Sequence, residues 1–187
     1  NPEPDFTYGI GNTFSYKGFD LSIYLSGSYG NEVVNWVRKD LENPRENTNL
    51  LKDALEYAQL ELIHSDGPDD YRNIKIIGGD PHACRMASSS ASNTSNYRFS
   101  DKFVEDGSYL RIQSISLGYT LPQKWVTKVG LQNMKIYCNL QNVYTFTKYK
   151  GYDPEIGSAN QDALLTGFDN YRYPTPRIYT FGLNLTF

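Results

Sequence analysis

Few residues of this chain are equipped to break bonds. It has two histidines, His64 and His82, and two cysteines, Cys84 and Cys138. The pair His82-x-Cys84 offers soft metal ligands, but a metal centre needs several groups converging at bonding distance. Two residues on their own fall short, so no catalytic metal is expected. Glu105–Asp106 supplies two carboxyls, the equipment of glycoside hydrolysis. Adjacent residues on an extended backbone point to opposite faces, however, and Asp106-Gly-Ser-Tyr reads as a turn before a strand. Asp66, Asp69 and Asp70 offer oxygen ligands for calcium or form a solvated turn, and structural calcium is the only cofactor left open. The sequence contains no nucleophile elbow, phosphate-binding glycine loop or zincin helix. An enzyme is not expected.

Binding is better served. Between Lys148 and Tyr173 the chain carries Tyr149, Tyr152, Asp153, Asn160, Gln161, Phe168, Asn170 and Tyr171. Aromatic faces stack on a polar oligomer such as a sugar, and amides and carboxylates hydrogen-bond to it. The same residues serve equally well to pack loops together. Asn93-Thr94-Ser95 and Asn184-Leu185-Thr186 both match the glycosylation pattern; the second falls inside a strand and shows how little that match means.

The elements that must position these residues are strands. Period-two alternation dominates and marks about five of them, near 6–16, 19–29, 108–121, 133–146 and 177–187. In the first, Phe6, Tyr8, Ile10, Phe14 and Tyr16 share a face. In the second, Phe19, Leu21, Ile23, Leu25 and Tyr29 oppose Asp20, Ser22, Tyr24, Ser26 and Ser28, with a tight Lys17-Gly18 turn between the two strands. The third places Ile115, Leu117, Tyr119 and Leu121 in one phase, while Leu110 and Ile112 fall in the other. In the fourth, Ile136, Cys138, Leu140, Tyr144 and Phe146 share a face. Asp20, Tyr24, Arg111, Gln113 and Asn139 are thereby expected on polar faces, toward a lumen or whatever fills it. Cys84 lies in a polar loop and Cys138 in a strand; two cysteines do not make a disulfide framework.

The connections alternate in length: short at 17–18 and 122–132, long at 30–107 and 147–175. Within the first long connection, Leu51, Ala54, Leu55, Ala58 and Leu62 recur at helical spacing and predict a short amphipathic helix. Short turns alternating with long loops, and aromatics near strand ends, are the pattern of an antiparallel up-and-down transmembrane β-barrel. A soluble β-sandwich also alternates polar and apolar residues, but its turns recur every ~8–12 residues. Its inner faces are also mainly Val, Ile and Leu, where these carry Tyr and Phe. The chain has 16 Tyr and 9 Phe, and aromatics make up 14% of it. Its net charge of -3 and lack of a basic stripe argue against nucleic-acid binding. No run approaches the ~20 apolar residues of a membrane helix, which says nothing against strands. The opening NPEPDFTYG reads as a turn leading straight into a strand, as if entered in mid-domain.

Several blocks in order resemble the C-terminal part of the barrel in SusC/RagA-like TonB-dependent outer-membrane transporters of Bacteroidetes. They are NPEPDFTYGIGNTFSYKGFDLS, EDGSYLRIQSISLGYTLP, IYCNLQNVYTFTKYKGYDPE and YPTPRIYTFGLNLTF. The resemblance implies a 22-stranded barrel with an N-terminal plug, of which the plug and TonB box lie outside these residues. It implies import of glycan or peptide oligomers, energised by the TonB complex, together with a SusD-like surface lipoprotein. It also implies an outer-membrane location with the long loops extracellular and the C-terminus periplasmic. Five strands cannot close such a barrel and open edges are not viable in lipid, so the remainder must be supplied by further sequence or another chain. A soluble carbohydrate-binding β-domain and a passive porin-like barrel piece remain the alternatives.

The last strand carries Tyr179, Phe181, Leu183, Leu185 and Phe187 on one face, and Thr180, Gly182, Asn184 and Thr186 on the other. Thr180, Gly182, Leu185 and Phe187 resemble the signal that the barrel-assembly machinery reads. Deleting Phe187, or adding charge after it, is therefore expected to impair assembly in the outer membrane. The check is surface level and uptake, and unchanged values of both would refute the expectation.

Overall fold

The computed structural model describes residues 1–43, 49–66, 70–81, 99–157 and 163–187. In chain order the elements begin with β1 (Phe6–Tyr16), β2 (Phe19–Tyr29), β3 (Glu32–Asn35), α1 (Trp36–Leu41), β4 (Gln59–Leu62) and β5 (Ile74–Gly78). Then come β6 (Val104–Asp106), β7 (Tyr109–Thr120), α2 (Gln123–Val126), β8 (Asn133–Thr147), β9 (Phe168–Asp169) and β10 (Ile178–Thr186). They fall into two units, one of Asn1–Val34 with Glu105–Phe187 and one of Asn35–Val104.

The long strands form one antiparallel sheet in the order β1-β2-β7-β8-β10. Three of them run 11, 11 and 12 residues, enough to cross a bilayer at the usual tilt, which takes about 9–11. The hairpin between β1 and β2 closes on Lys17 and Gly18, with φ of 46° and 88°. Two consecutive positive φ values make the mirror-image turn that matches strand twist. Register then sorts every side chain to a face. Ile10, Leu25 and Ile112 pair across one row, and Leu21, Leu117 and Cys138 across another. Asn12 is the polar exception in β1, opposite Ile23.

Aromatic clusters sit at both ends of this apolar face. At one end Phe6 stacks on Tyr29 with centroids 5.4 Å apart, and Tyr144 meets Phe146 edge-on at 4.7 Å. At the hairpin end Phe19 stacks on Tyr119 at 4.2 Å, with Tyr16 opposite Phe19. The aliphatic rows lie between them. Most of these large side chains are exposed, so the face is finished as a surface and left without a protein layer over it.

The phase break in β7 has a local cause. Tyr24 pairs with Ser114, but the next residue, Leu25, pairs with Ile112, leaving Gln113 as an extra residue. This bulge flips the alternation, so Leu110 and Ile112 join Ile115 and Leu117 on the apolar face. Opposite it, β8 jumps from Gln141 to Tyr144, and Asn142 takes a left-handed φ of 52°, which Asn tolerates better than most residues.

The helix predicted around Leu51–Leu62 does not form. Lys52–Leu55 makes a single 3-10 turn, and Gln59–Leu62 pairs as β4 with the Ile-rich β5. Gln59, Leu60, Glu61 and Leu62 alternate in period two, and an isolated helix of that length is marginal without a packing partner; Leu55 lies 79% exposed. The short helix of this connection is instead α1, where the Asn35 side chain accepts from the Arg38 N–H at 2.9 Å. Val37 and Phe103 are buried there, and Glu42 pairs with both Arg38 and Lys102. A further small sheet orders β6, β3 and β9.

Tyr8 lies across Gly27, its hydroxyl donating to the Tyr109 carbonyl at 3.1 Å. A Cβ at Gly27 would overlap both that carbonyl oxygen and the Tyr8 ring, so the missing side chain makes room for the aromatic. Gly27→Ala is expected to cost about 1–3 kcal/mol by overpacking, and Tyr8→Phe about 0.5–1.5 kcal/mol for one hydrogen bond. Heat-modified mobility of the complete barrel on gels is the measurement. Equal thermal midpoints for Gly27→Ala and the parent would show that the site has slack.

Candidate functional site

The polar face of the large sheet is where charge collects. Asp20 accepts from Lys135 at 2.8 Å and from Ser15 at 2.9 Å. Asn139 accepts from Ser116 at 2.6 Å, and Gln113 from Ser26 at 3.1 Å. The Tyr24 ring lies over Gly9. Asp20, Tyr24, Arg111, Gln113 and Asn139 thus share one face, and register explains why: Asp20 opposes Gly118, Tyr24 opposes Ser114 and Arg111 opposes Ser26.

Arg111 is the centre of the arrangement. Only 2% of it is exposed, a rare state for a guanidinium and a costly one unless its charge is met. The Nη2 donates to Asp153 Oδ1 at 2.5 Å, the Nη1 to Glu155 Oε2 at 2.6 Å, and the Nε to Thr145 Oγ1 at 3.0 Å. The Tyr109 ring lies 5.3 Å away. Burial opposes ionisation of Asp153, but the backbone N–H groups of Glu155 and Thr175, with the Arg111 charge, outweigh it and hold the carboxyl below its ordinary range. The loop after β8 and the chain entering β10 are therefore both tied to one strand residue.

A second tie lies in the same loop. The Tyr149 hydroxyl donates to Asp169 Oδ2 at 2.6 Å, and Asp169 Oδ1 accepts from the Arg172 N–H at 3.1 Å. Burial, together with that hydrogen bond and the Asp169 charge, pushes the Tyr149 hydroxyl well above its ordinary range, so it stays protonated. Tyr149 and Asp153 thus direct their polar groups inward. Tyr152 and Tyr171 are 67% and 55% exposed, Asn170 is exposed, and Phe168 is half-buried. Asn160 and Gln161 lie outside the described residues.

Beside Arg111 is a cavity of about 260 Å³, lined also by Asn142, Tyr152, Asp153, Thr175 and Arg177. Asn142 donates through Nδ2 to the Pro176 carbonyl at 3.0 Å, while its buried Oδ1 has no partner among the described residues. The sequence pattern singled out neither Asn142 nor Arg177. The signal available was an arginine within a strand, which demands acceptors, and the Asp153-Pro-Glu155 segment that supplies two.

The remaining sequence candidates do not converge. Among the described residues no three His, Cys, Asp or Glu side chains are grouped as metal ligands. Asp70 is engaged with Arg72; Asp69, His82, Cys84 and the Asn93 pattern lie outside the described residues. Glu105 accepts from the Lys150 N–H and Asp106 from the Ser108 N–H, both at 2.9 Å. Thr180 and Gly182 lie on the polar face and Leu185 on the apolar one, opposite Asn139, Tyr137 and Met134 respectively. Phe187 follows β10 and is 81% exposed. Among the described residues no helix is long and apolar enough to cross a membrane.

Removing the Arg111 charge leaves the Asp153 carboxylate buried without its cation. Arg111→Ala is expected to destabilise by about 3–5 kcal/mol, and the double variant with Asp153→Asn by less than the two single losses combined. Because the Asp153 pKa is depressed on folding, its contribution is present above the unfolded value of about 3.9 and fades as pH falls through the folded one. Proteolysis of the intact protein within 148–157 is expected to rise in that acid range for the parent, and already at neutral pH for Arg111→Ala.

No protein-family model matches the chain. TonB-dependent receptor P3 of Formosa agariphila is 30% identical over 191 residues, covering 100% of this chain and 17% of the receptor. TonB-dependent receptor SusC of Bacteroides thetaiotaomicron is 26% identical over 190 residues, with 100% of this chain and 15% of SusC covered. Among solved structures, the RagAB peptide importer in its 'open-open' state aligns with a TM-score of 0.69 and 23% identity. That alignment spans 99% of this chain and 17% of the matched one. The 'closed-closed' state aligns over 100% of this chain and 18% of the matched one, with a TM-score of 0.68 and 23% identity. The chain thus spans less than a fifth of the length of the relatives it matches. In sequence and in fold, it corresponds to the C-terminal barrel part of a SusC/RagA-like TonB-dependent outer-membrane receptor.

Proposed function

We propose that this chain is the C-terminal part of an active outer-membrane importer of glycan or peptide oligomers. The observation that carries the proposal is the two-faced sheet: an uncovered apolar face bounded by aromatic clusters, backed by a polar face with a charged cluster and a cavity. The apolar face meets lipid and the aromatics sit at its two water interfaces. The polar face lines the lumen, where Asp20, Tyr24, Gln113 and Asn139 meet the plug or the passing substrate. The loops that follow β2 and β8 are extracellular, and the short connections at 17–18 and 122–132 are periplasmic.

Free edges at β1 and β10 call for neighbouring strands, since unpaired backbone is not tolerated in hydrocarbon. The rest of the barrel and a plug supply closure and the contact with the TonB complex. A SusD-like lipoprotein covers the extracellular mouth, and the barrel-assembly machinery inserts the protein through Thr180, Gly182, Leu185 and Phe187. Exposed Tyr152 and Tyr171 contact substrate, while Tyr149 and Asp153 set the loop that presents them. Substrate binding by shape, stacking and hydrogen bonds needs no catalytic group.

The test is uptake of fluorescent oligosaccharide and oligopeptide pools by cells carrying the complete gene, with and without a functional TonB complex. Accumulation of one pool that collapses when TonB is removed is expected. Uptake that persists without TonB would make the barrel a passive pore. A stable, monodisperse, detergent-free protein made from these residues alone would refute the membrane assignment.

A further inference from the structure

The cavity beside Arg111 has the makings of a recognition site with a defined charge preference. Two cations line it, and they are not equivalent. Arg111 is already met by Asp153 and Glu155, whereas Arg177 is exposed and has no ion pair among the described residues. The lining carboxylate, Asp153, is held by Arg111 and by the Thr175 and Glu155 N–H groups, so it is not free to neutralise Arg177. Asn142 adds a buried acceptor, Oδ1, with no donor among the described residues; buried polar atoms are rarely left in that state. Tyr152, 67% exposed, and Pro154 give the same cavity a hydrophobic wall.

These three features together specify a ligand group. An uncompensated guanidinium pairs with a carboxylate, with two parallel hydrogen bonds where geometry allows. The Asn142 oxygen needs an N–H or O–H next to that carboxylate. Tyr152 takes the flat or apolar body that carries both. We propose that this cavity holds a carboxylate-bearing unit of the imported oligomer, with Arg177 on the carboxylate, Asn142 Oδ1 on the neighbouring donor and Tyr152 against its body. The chemistry is met by the terminal residue of a peptide, through its C-terminal carboxylate and amide N–H. It is met equally by a uronic acid, through its carboxylate and ring hydroxyl. This inference rests on the import assignment, but it makes a separate demand: acid must be preferred over neutral ligand.

Isothermal titration of the purified complete transporter with matched pairs tests it. One arm compares trigalacturonic acid with its methyl ester, and the other trialanine with trialanine amide. In one arm the acid is expected to bind about ten- to a hundredfold more tightly than its neutral partner, the range of a charge-assisted contact; the arm that responds names the source. Arg177→Gln is expected to abolish that preference and Arg177→Lys to keep part of it. Asn142→Gly, which retains the left-handed backbone, is expected to weaken acid and neutral forms alike. Absence of an acid preference in both arms, including absence of binding, overturns the proposal without recourse to any variant. So does a preference that survives Arg177→Gln in folded protein. TonB-dependent uptake without acid preference would remove this site and leave the import assignment standing. Acid preference without TonB-dependent uptake would do the reverse.

Discussion

The large sheet follows from the requirement that a backbone in hydrocarbon pair all of its own N–H and C=O groups. An antiparallel ladder meets that demand between strands instead of within them, so each strand needs a neighbour on both sides and side chains are free to differ between faces. The sheet β1-β2-β7-β8-β10 is an arc cut from such a ladder. Its strands match bilayer thickness, its aliphatic rows match the apolar slab, and its aromatics match the two boundaries. The chain has few large apolar residues in a conventional buried core; Val33, Val37, Phe103, Val126 and Tyr149 are its buried hydrophobic side chains among the described residues. Lipid against the apolar face and hydrogen bonding between strands do the work that a core does elsewhere.

The second organising fact is the treatment of charge on the polar face. Arg111 is too buried to be solvated by bulk water, so two loop carboxylates replace its hydration. That choice turns a connection with little secondary structure of its own into a defined surface. Tyr149 with Asp169 adds a second fixed point. Between them Tyr152 is left outward. A loop that recognises a ligand benefits from being ordered beforehand, because less conformational freedom is lost on binding.

Much of the sheet was legible in the sequence because strand periodicity is a local property. Phe19, Leu21, Ile23 and Leu25 alternate with polar residues regardless of what they meet. Even the phase break at Leu110 and Ile112 was visible, though its meaning as a bulge at Gln113 required the register of two neighbouring strands. The helix expected near Leu55 failed for the complementary reason: spacing at 3.6 residues is only a potential face, and Leu55 found nothing to pack on. The inward roles of Tyr149 and Asp153 were also illegible. Arg111 and Asp153 lie 42 positions apart, and no local pattern reports a contact between a strand and a distant loop. Composition identified that loop as chemically rich, but only the fold separates the residues that hold it from those it displays.

The extra residue at Gln113 carries an evolutionary consequence. Because side chains alternate, the bulge acts as a parity switch: everything on the Arg111 side of it is out of step with everything on the Tyr119 side. Drawing Gln113 into the ladder would carry Arg111 to the greasy side and bring Leu110 and Ile112 round to the wet one, whereas losing it would leave each of them on its present face. Point substitutions along β7 are therefore a gentle form of drift, while single-residue indels away from the bulge are severe. The strand is free to vary in spelling, but its length can change only in even steps, or by one residue where a bulge is gained or lost with it.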